Sequence, residues 1–511
     1  MDNYVNRALD ILAGYGSREA LVGDGVRLSY DDVRAKVLDL AASLQDNGVR
    51  SGTAVGVLVS NPPEALPLHL ALHLLGCRTV WIALITPRNE LAAYVQLAQL
   101  DALIYDARTQ DALGREIAAS LAPLPVLCLG PDGLGPDLLA ARPADAPALD
   151  LSGVTHEPES VFQTSGTTGL PKMVHHRQGF FEQVIELATQ FRDAGHPVLR
   201  HLSVTPPWHV SGPMTAYFNL FHGGVLFVQE DWDADVFLAT IHAEKINSTF
   251  VSPPLFYELL DHPKLAETDF DQMLMFNVGS APTAPARLVQ AYELLGPVVR
   301  IAYGLSESTL ITAMPAVTPD PAHPERLGSC GLPYGDVRIE IRDEDAREVP
   351  TGELGEVWVS SKLNMTGYWG QPEYTAETLV DGWIRTGDLG KLDADGYLYL
   401  VDRVKDMIVT GRGSRNVFSR PLEDFLAAQP EIRAAAVIGV DDEKLGEVVH
   451  AYVVLAPDSV VDVEVLQARV LEDFTPIWVP RTIDFVDRLP LGNTGKVDKK
   501  ALRARYRAER A

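Results

Sequence analysis

Residues 160–172 read Ser160-Val161-Phe162-Gln163-Thr164-Ser165-Gly166-Thr167-Thr168-Gly169-Leu170-Pro171-Lys172. A short β-prone run passes into a loop rich in hydroxyls and glycine and closed by a cation. Glycines let backbone N–H groups approach phosphate oxygens, the hydroxyls add donors, and the lysine supplies a mobile charge. The pattern GxxxxGK[ST] cannot be laid over the stretch, so this is not a Walker A loop. A glycine-rich hairpin taken alone is a weak signal; the whole string is far more specific.

Outward from this loop the chain reads as α/β. Ser29-Tyr30-Asp31-Asp32 starts a helix in which Val33, Val37, Leu40, Ala41 and Leu44 share one face. A short apolar run at 54–59, a helix opened by Asn61-Pro62-Pro63 and a run at 79–82 give strand, helix, strand, the signature of a parallel sheet. A second α/β lobe holds strands at 227–228, 248–251, 275–278 and 299–302, each leading into Gly, Pro or Ser, where ligands favour strand ends. Residues 123–147, rich in Pro, Gly, Ala and Asp, read either as a connection between the lobes or as one long loop. From Gly352 the pattern turns strand-rich, and after Arg403 a separate α+β unit has helices near 421–428 and 463–473 and strands at 434–440, 449–455 and 482–485. The expected architecture is α/β: a large N-terminal domain (1–401) of two α/β lobes plus a β-rich lobe, and a small mobile α+β cap (402–511).

Composition sets limits on function. The chain has 511 residues, too many for one ordinary core, and a net charge of −26, which opposes general binding to nucleic acid or an anionic membrane. Any phosphate site must be local. The first dozen residues lack the basic and apolar regions of a signal peptide, and the apolar stretch at 66–75 is too short to cross a bilayer. Cys77, Cys128 and Cys330 are widely spaced and outside any metal-ligand pattern, which points to reduced thiols and a cytoplasmic protein.

The string 164–172 resembles the phosphate loop of the adenylate-forming superfamily, which includes acyl-CoA synthetases, carrier-protein adenylation domains and beetle luciferases. Further motifs follow in that family's order. Tyr303-Gly304-Leu305-Ser306-Glu307-Ser308 resembles the box whose aromatic ring stacks on adenine and whose carboxylate holds Mg²⁺. Thr386-Gly387-Asp388 resembles the box whose aspartate binds the ribose hydroxyls. Asp402-Arg403-Val404-Lys405-Asp406 resembles the hinge and the arginine after it, and Leu491-Gly492-Asn493-Thr494-Gly495-Lys496 the loop bearing the adenylation lysine. Glu307 or Asp388 alone would be a solvated turn carboxylate, and Lys496 alone part of a basic C-terminal face; the ordered set is what carries the resemblance.

The resemblance implies an enzyme that uses ATP and Mg²⁺ to activate a carboxylic acid as its AMP anhydride, then transfers the acyl group to CoA. It places ATP at Thr164, Ser165, Gly166, Thr167, Thr168, Gly169, Lys172, Ser280, Ala281, Tyr303, Gly304, Ser306, Asp388 and Arg403. Glu307 would hold the metal, Lys496 would bridge carboxylate and α-phosphate, and Asp402 would be the hinge. Pro207-Trp208-His209-Val210-Ser211-Gly212 matches the segment whose histidine gates the acid pocket. Trp208, His209, Val278, Gly279, Gly304 and Thr309 are the expected pocket residues, and Trp208, Phe256 and His209 suggest a flat slot for an aromatic or medium-sized acid.

Two departures bear on transfer. Met173 stands where glycine is usual, suggesting altered loop flexibility. Residues 412–416 carry extra length, and Ser419-Arg420-Pro421 lacks the usual Pro-x-Glu order in a segment that lines the pantetheine tunnel. Arg412 and Arg415 suit a CoA phosphate or a solvated loop equally. A carrier-protein phosphopantetheine is therefore the next acceptor, and ATP-dependent nitrite activation with diazotisation of an arylamine a rarer one. A non-catalytic AMP-binding protein is opposed by the presence of Lys172, Glu307, Asp388, Arg403 and Lys496 together.

Overall fold

The Ser29 turn shows how local chemistry opens an element in this fold. Ser29 Oγ accepts from Asp32 N at 3.1 Å, Asp32 Oδ2 accepts from Ser29 N at 2.9 Å, and the helix Tyr30–Asp46 follows this reciprocal cap. The computed structural model describes residues 3–84, 86, 88–121, 124–164, 172–403, 406–410, 415–442, 445–491 and 496–510. Among them the strands gather into four sheets.

A seven-stranded sheet has five mutually parallel strands; two of its central ones, Ala54–Leu58 and Ala102–Asp106, are buried on both faces as such strands require. A nine-stranded sheet runs parallel through Val299–Tyr303, Met275–Gly279, Ser248–Val251, Arg200–Ser203, Val225–Val228 and Glu19–Gly23. An antiparallel five-stranded sheet holds Gly355–Ser360, Trp383–Leu392 and Leu398–Arg403. The fourth sheet belongs to the smaller C-terminal domain, where helices Ser419–Ala427 and Val463–Asp473 pack against strands Ile432–Asp442 and Gly446–Leu455.

The two α/β lobes are not consecutive in the chain. Glu19–Gly23 and Val26–Ser29 belong to the nine-stranded sheet, whereas Glu159–Thr164 and Lys172–Arg177 return to the seven-stranded one after residues 123–147. That stretch therefore does not separate the lobes, and it contains a strand of its own, Val126–Leu129.

The helix Ala65–Leu74 is buried on every side and brings two histidines into the first core. His69 Nδ1 lies 2.7 Å from the Tyr217 hydroxyl, and both His69 Nε2 (2.8 Å) and His73 Nε2 (3.0 Å) meet Ser160 Oγ. His73 Nδ1 closes the chain on the Tyr4 hydroxyl at 2.8 Å. Burial drives both imidazoles toward the neutral form, His73 to about 3 and His69 well below the ordinary range, the latter also feeling its neighbour His73. Cys77, Cys128 and Cys330 are buried, unpaired thiols. No helix among the described residues is long and apolar enough to cross a membrane.

Candidate active site

The strand Val299–Tyr303 delivers Tyr303 to its C-terminal end, where the phenol donates to Asp388 Oδ2 at 2.7 Å. Asp388 comes from another sheet, on Trp383–Leu392, and its other oxygen is 2.9 Å from Arg403 Nε, whose residue is its register partner on the neighbouring strand. Burial first, then the Asp388 charge, holds the Tyr303 phenol protonated; the same carboxylate holds Arg403 protonated. Thr386 Oγ1 donates to Val357 O at 2.7 Å and accepts from Asp388 N at 3.1 Å, which fixes the Thr-Gly-Asp turn.

After Tyr303 the chain turns sharply. A Cβ on Gly304 would sit 2.6 Å from Leu310 N, so the turn admits no side chain there. Ser280, at the end of the neighbouring strand, has φ of 71°, a left-handed conformation costly for a residue other than glycine, and Gly279 before it would press a Cβ 2.7 Å from Ala302 O. His176 Nε2 donates to Ser306 O at 2.9 Å, and Met365 N donates to Glu307 O at 2.7 Å. The Glu307 side chain is held in turn, Oε1 accepting from the Tyr368 hydroxyl at 2.7 Å. Lys172, register partner of Thr164 across the strand pair that carries the phosphate-loop string, places Nζ 4.7 Å from the Tyr368 ring centroid and 5.2 Å from that of Tyr374.

His209 Nδ1 meets Ser211 Oγ at 2.6 Å, and burial, then the positive charge of Lys496, pushes the ring to about 4. His209 is therefore neutral near pH 7 and within electrostatic reach of Lys496. Asp402 is buried and accepts from Ser419 N (2.5 Å) and Ser419 Oγ (2.8 Å) with one oxygen and from Arg403 N (2.8 Å) with the other. Lys499 Nζ donates to Ser419 Oγ at 2.5 Å and pairs with Glu423 at 2.8 Å, which ties the C-terminal helix to Ser419 and through it to Asp402.

A cavity of about 1740 Å³ between the domains gathers most of the expected residues. Thr164, Lys172, Tyr303, Ser306, Glu307, Asp388 and Arg403, expected at the nucleotide, line it together with His209, Ser280, Ala281, Gly304 and Thr309. Asp402 and Lys496 approach from the C-terminal side. Ser165, Gly166, Thr167, Thr168 and Gly169 lie outside the described residues, as do Arg412 and the side chain of Arg415.

Several expected positions are corrected. Val278 points to the opposite sheet face, into the second core, because alternate residues of a strand face opposite ways. Phe256 is buried in that same core against Phe276, and Trp208 packs on the first core; neither lines the cavity, nor does Gly279. Met173 is a buried core residue whose backbone bonds Gln371 Oε1 and Trp369 N, so its role is packing and sheet pairing. Tyr368 and Lys499 went unnoticed in the sequence, and Ser419 stood out only as part of the segment lacking the usual Pro-x-Glu order. Tyr368 reaches Glu307 because Gly367–Tyr368 pairs with the phosphate-loop strand, a contact of long sequence separation with no local signal.

Among the described residues no group of three or more His, Cys, Asp or Glu could hold a metal by itself. A single carboxylate suits Mg²⁺ when nucleotide phosphates and water supply the other oxygens, and Glu307 fits that donor set.

Family comparisons agree with this geometry over most of the chain. Residues 10–369 match the AMP-binding enzyme family and residues 421–496 its C-terminal domain. The medium/long-chain-fatty-acid–CoA ligase FadD8 of Mycobacterium tuberculosis is 33% identical, covering 95% of this chain and 86% of that protein. The feruloyl-CoA synthase of an Amycolatopsis species is 31% identical over 94% of each chain. The amide bond synthetase McbA from Marinactinospora thermotolerans superposes with a TM-score of 0.88 at 32% identity, covering 98% of this chain and 99% of its own. With a nucleotide-sized cavity between two domains and family matches on both sides of it, the chain belongs to the AMP-binding family of adenylate-forming enzymes.

Proposed function

We propose that the protein activates a carboxylic acid with ATP as the acyl adenylate and transfers the acyl group to CoA. The observation that carries this reading is the convergence of Tyr303, Asp388 and Arg403 with Lys496 and His209 on one cavity. Tyr303 stacks on adenine, and Asp388 exchanges part of its present bonding for the ribose hydroxyls. Lys172 faces the β- and γ-phosphates, while Lys496 draws the substrate carboxylate to the α-phosphate. A carboxylate oxygen attacks α-phosphorus, pyrophosphate leaves, and the thiol of CoA then attacks the acyl carbon as AMP departs. Bound at Glu307, Mg²⁺ would neutralise phosphate charge. Positioning the two anions in one cavity makes the attack effectively intramolecular.

The boundary between a 1–401 domain and a 402–511 cap falls at Asp402, whose bonds to Ser419 must part if the cap turns between the two half-reactions. The likeness to an amide bond synthetase along nearly the whole chain favours one second reading, in which an amine takes the place of the thiol.

Pyrophosphate release across aryl, alkenoic and fatty acids and nitrite, with CoA, an arylamine or neither, tests both readings when products are followed by mass. Acid-dependent release with a CoA adduct is the expected result, and an amide product would select the second reading. Lys496→Ala should abolish adenylation and leave transfer from supplied acyl adenylate largely intact. Equal loss of both half-reactions would refute the role given to Lys496.

A further inference from the structure

The cavity extends well past the carboxylate position. Its floor is one face of the nine-stranded sheet, where alternate residues of adjacent strands line up: His201, Ser248 and Phe250, Met275 and Asn277, Ala302. Ser248 is the register partner of both His201 and Met275, so these three mark the inner end of the slot. From Gly279 back to Met275 the strand rises about 13 Å, room for a ring and a short spacer. The facing wall comes from helices Gln178–Asp193 and Ser211–Phe221, with Leu187, Phe191, Met214 and Phe218; the Phe191 and Phe218 rings meet edge to face at 5.3 Å.

This apolar slot ends in polar groups without partners. Asn219 is 1% exposed, and neither its Oδ1 nor its Nδ2 has a hydrogen-bond partner. His201 is 4% exposed; its Nδ1 meets Ser248 Oγ at 2.9 Å, and its Nε2 is unpartnered. A buried donor or acceptor left unsatisfied is costly, and these three atoms belong to residues lining the same cavity, where a ligand can complete the bonds.

We propose that His201 and Asn219, backed by Ser248, read a neutral hydrogen-bonding substituent, a hydroxyl or amino group, at the far edge of an aromatic acid. The amide of Asn219 both donates and accepts, and so does a phenol or an arylamine. Burial and the neighbouring His222 push His201 to about 4, so it meets the substituent as an uncharged ring. The flat ring lies between the sheet face and the phenylalanines. Arg300 also lines this cavity and has an unpartnered buried Nε, so a carboxylate at the far edge is the competing chemistry.

The inference rests on the adenylation reading, and the test separates the two. ATP–pyrophosphate exchange is measured with the wild-type protein on matched acids: cinnamic against 4-hydroxycinnamic and 4-carboxycinnamic, benzoic against 4-hydroxybenzoic and 4-aminobenzoic, and octanoic. A site built to bond a substrate hydroxyl rejects the analogue lacking it, so kcat/KM should favour the hydroxy or amino acid by at least about 100-fold. In Asn219→Leu and His201→Phe the ratio should fall toward one, with the hydroxy acid losing and the unsubstituted acid gaining. Exchange that is equal within a pair, or best with octanoic or 4-carboxycinnamic acid, would leave adenylation standing and overturn this inference. No exchange with any acid would overturn both.

Discussion

Acidification should unfold the large N-terminal domain well before its carboxylates protonate. Burial lowers His73 to about 3 and His176, His201, His209 and His222 to about 4 each; His201 also feels His222, and His209 also feels Lys496. In the unfolded chain each returns to about 6.5. Below that value the unfolded chain takes up protons that the folded chain refuses, so stability is complete above about pH 6.5 and is lost as pH falls toward 4. At pH 5 each ring costs ~2 kcal/mol relative to pH 8, and the five together ~10 kcal/mol, comparable with the whole stability of a domain. In the C-terminal domain His450, also lowered to about 4, is opposed by Asp424, which burial raises to about 6 with the opposite sign. Urea unfolding followed by tryptophan fluorescence reports mainly the first domain, because six of the seven tryptophans precede Asp402. The unfolding midpoint should drop steeply between pH 7 and 5, and His73→Gln, neutral at every pH, should recover about 2 kcal/mol of the loss. An unchanged or higher midpoint at pH 5 would refute the reasoning.

Two further outcomes follow from single hydrogen bonds. Tyr368→Phe removes the donor that holds Glu307 and should raise the Mg²⁺ concentration for half-maximal pyrophosphate release about tenfold, with little change in saturated rate; an unchanged Mg²⁺ dependence would detach Tyr368 from metal binding. Ser419→Ala removes the hydroxyl that joins Asp402 to Lys499 and should change the ratio of single-turnover adenylation to thioester formation by about tenfold, whereas an unaltered ratio would separate this cluster from the hinge.

What could be read from the sequence was local periodicity and ordered motifs. The helix at 463–473 and the strand at 482–485 were found at their observed bounds because each is a short run framed by turn residues. The nearness of Tyr303, Asp388 and Arg403 could be anticipated only from motif order, since nothing in composition joins residues on different sheets. Sidedness was harder. Val278 and Asn277 are neighbours of which only Asn277 faces the cavity, and Phe256, expected in the slot, lies in the second core. The return of 159–177 to the first sheet, and the contacts of Tyr368 and Ser419, depend on pairings between distant segments that no local pattern records.

The bond between Tyr303 and Asp388 joins two sheets, and its partner Arg403 is the last residue of the strand that carries Asp402. A fragment ending at Trp369 would keep Tyr303, Glu307 and Tyr368 but lose both Asp388 and Arg403, the partners of that bond. If ATP bridges Tyr303 and Asp388 as proposed, two fragments divided within the Gln371–Thr378 turn and helix should reassociate more tightly when ATP is present, as halves of one receptor held together by their shared ligand.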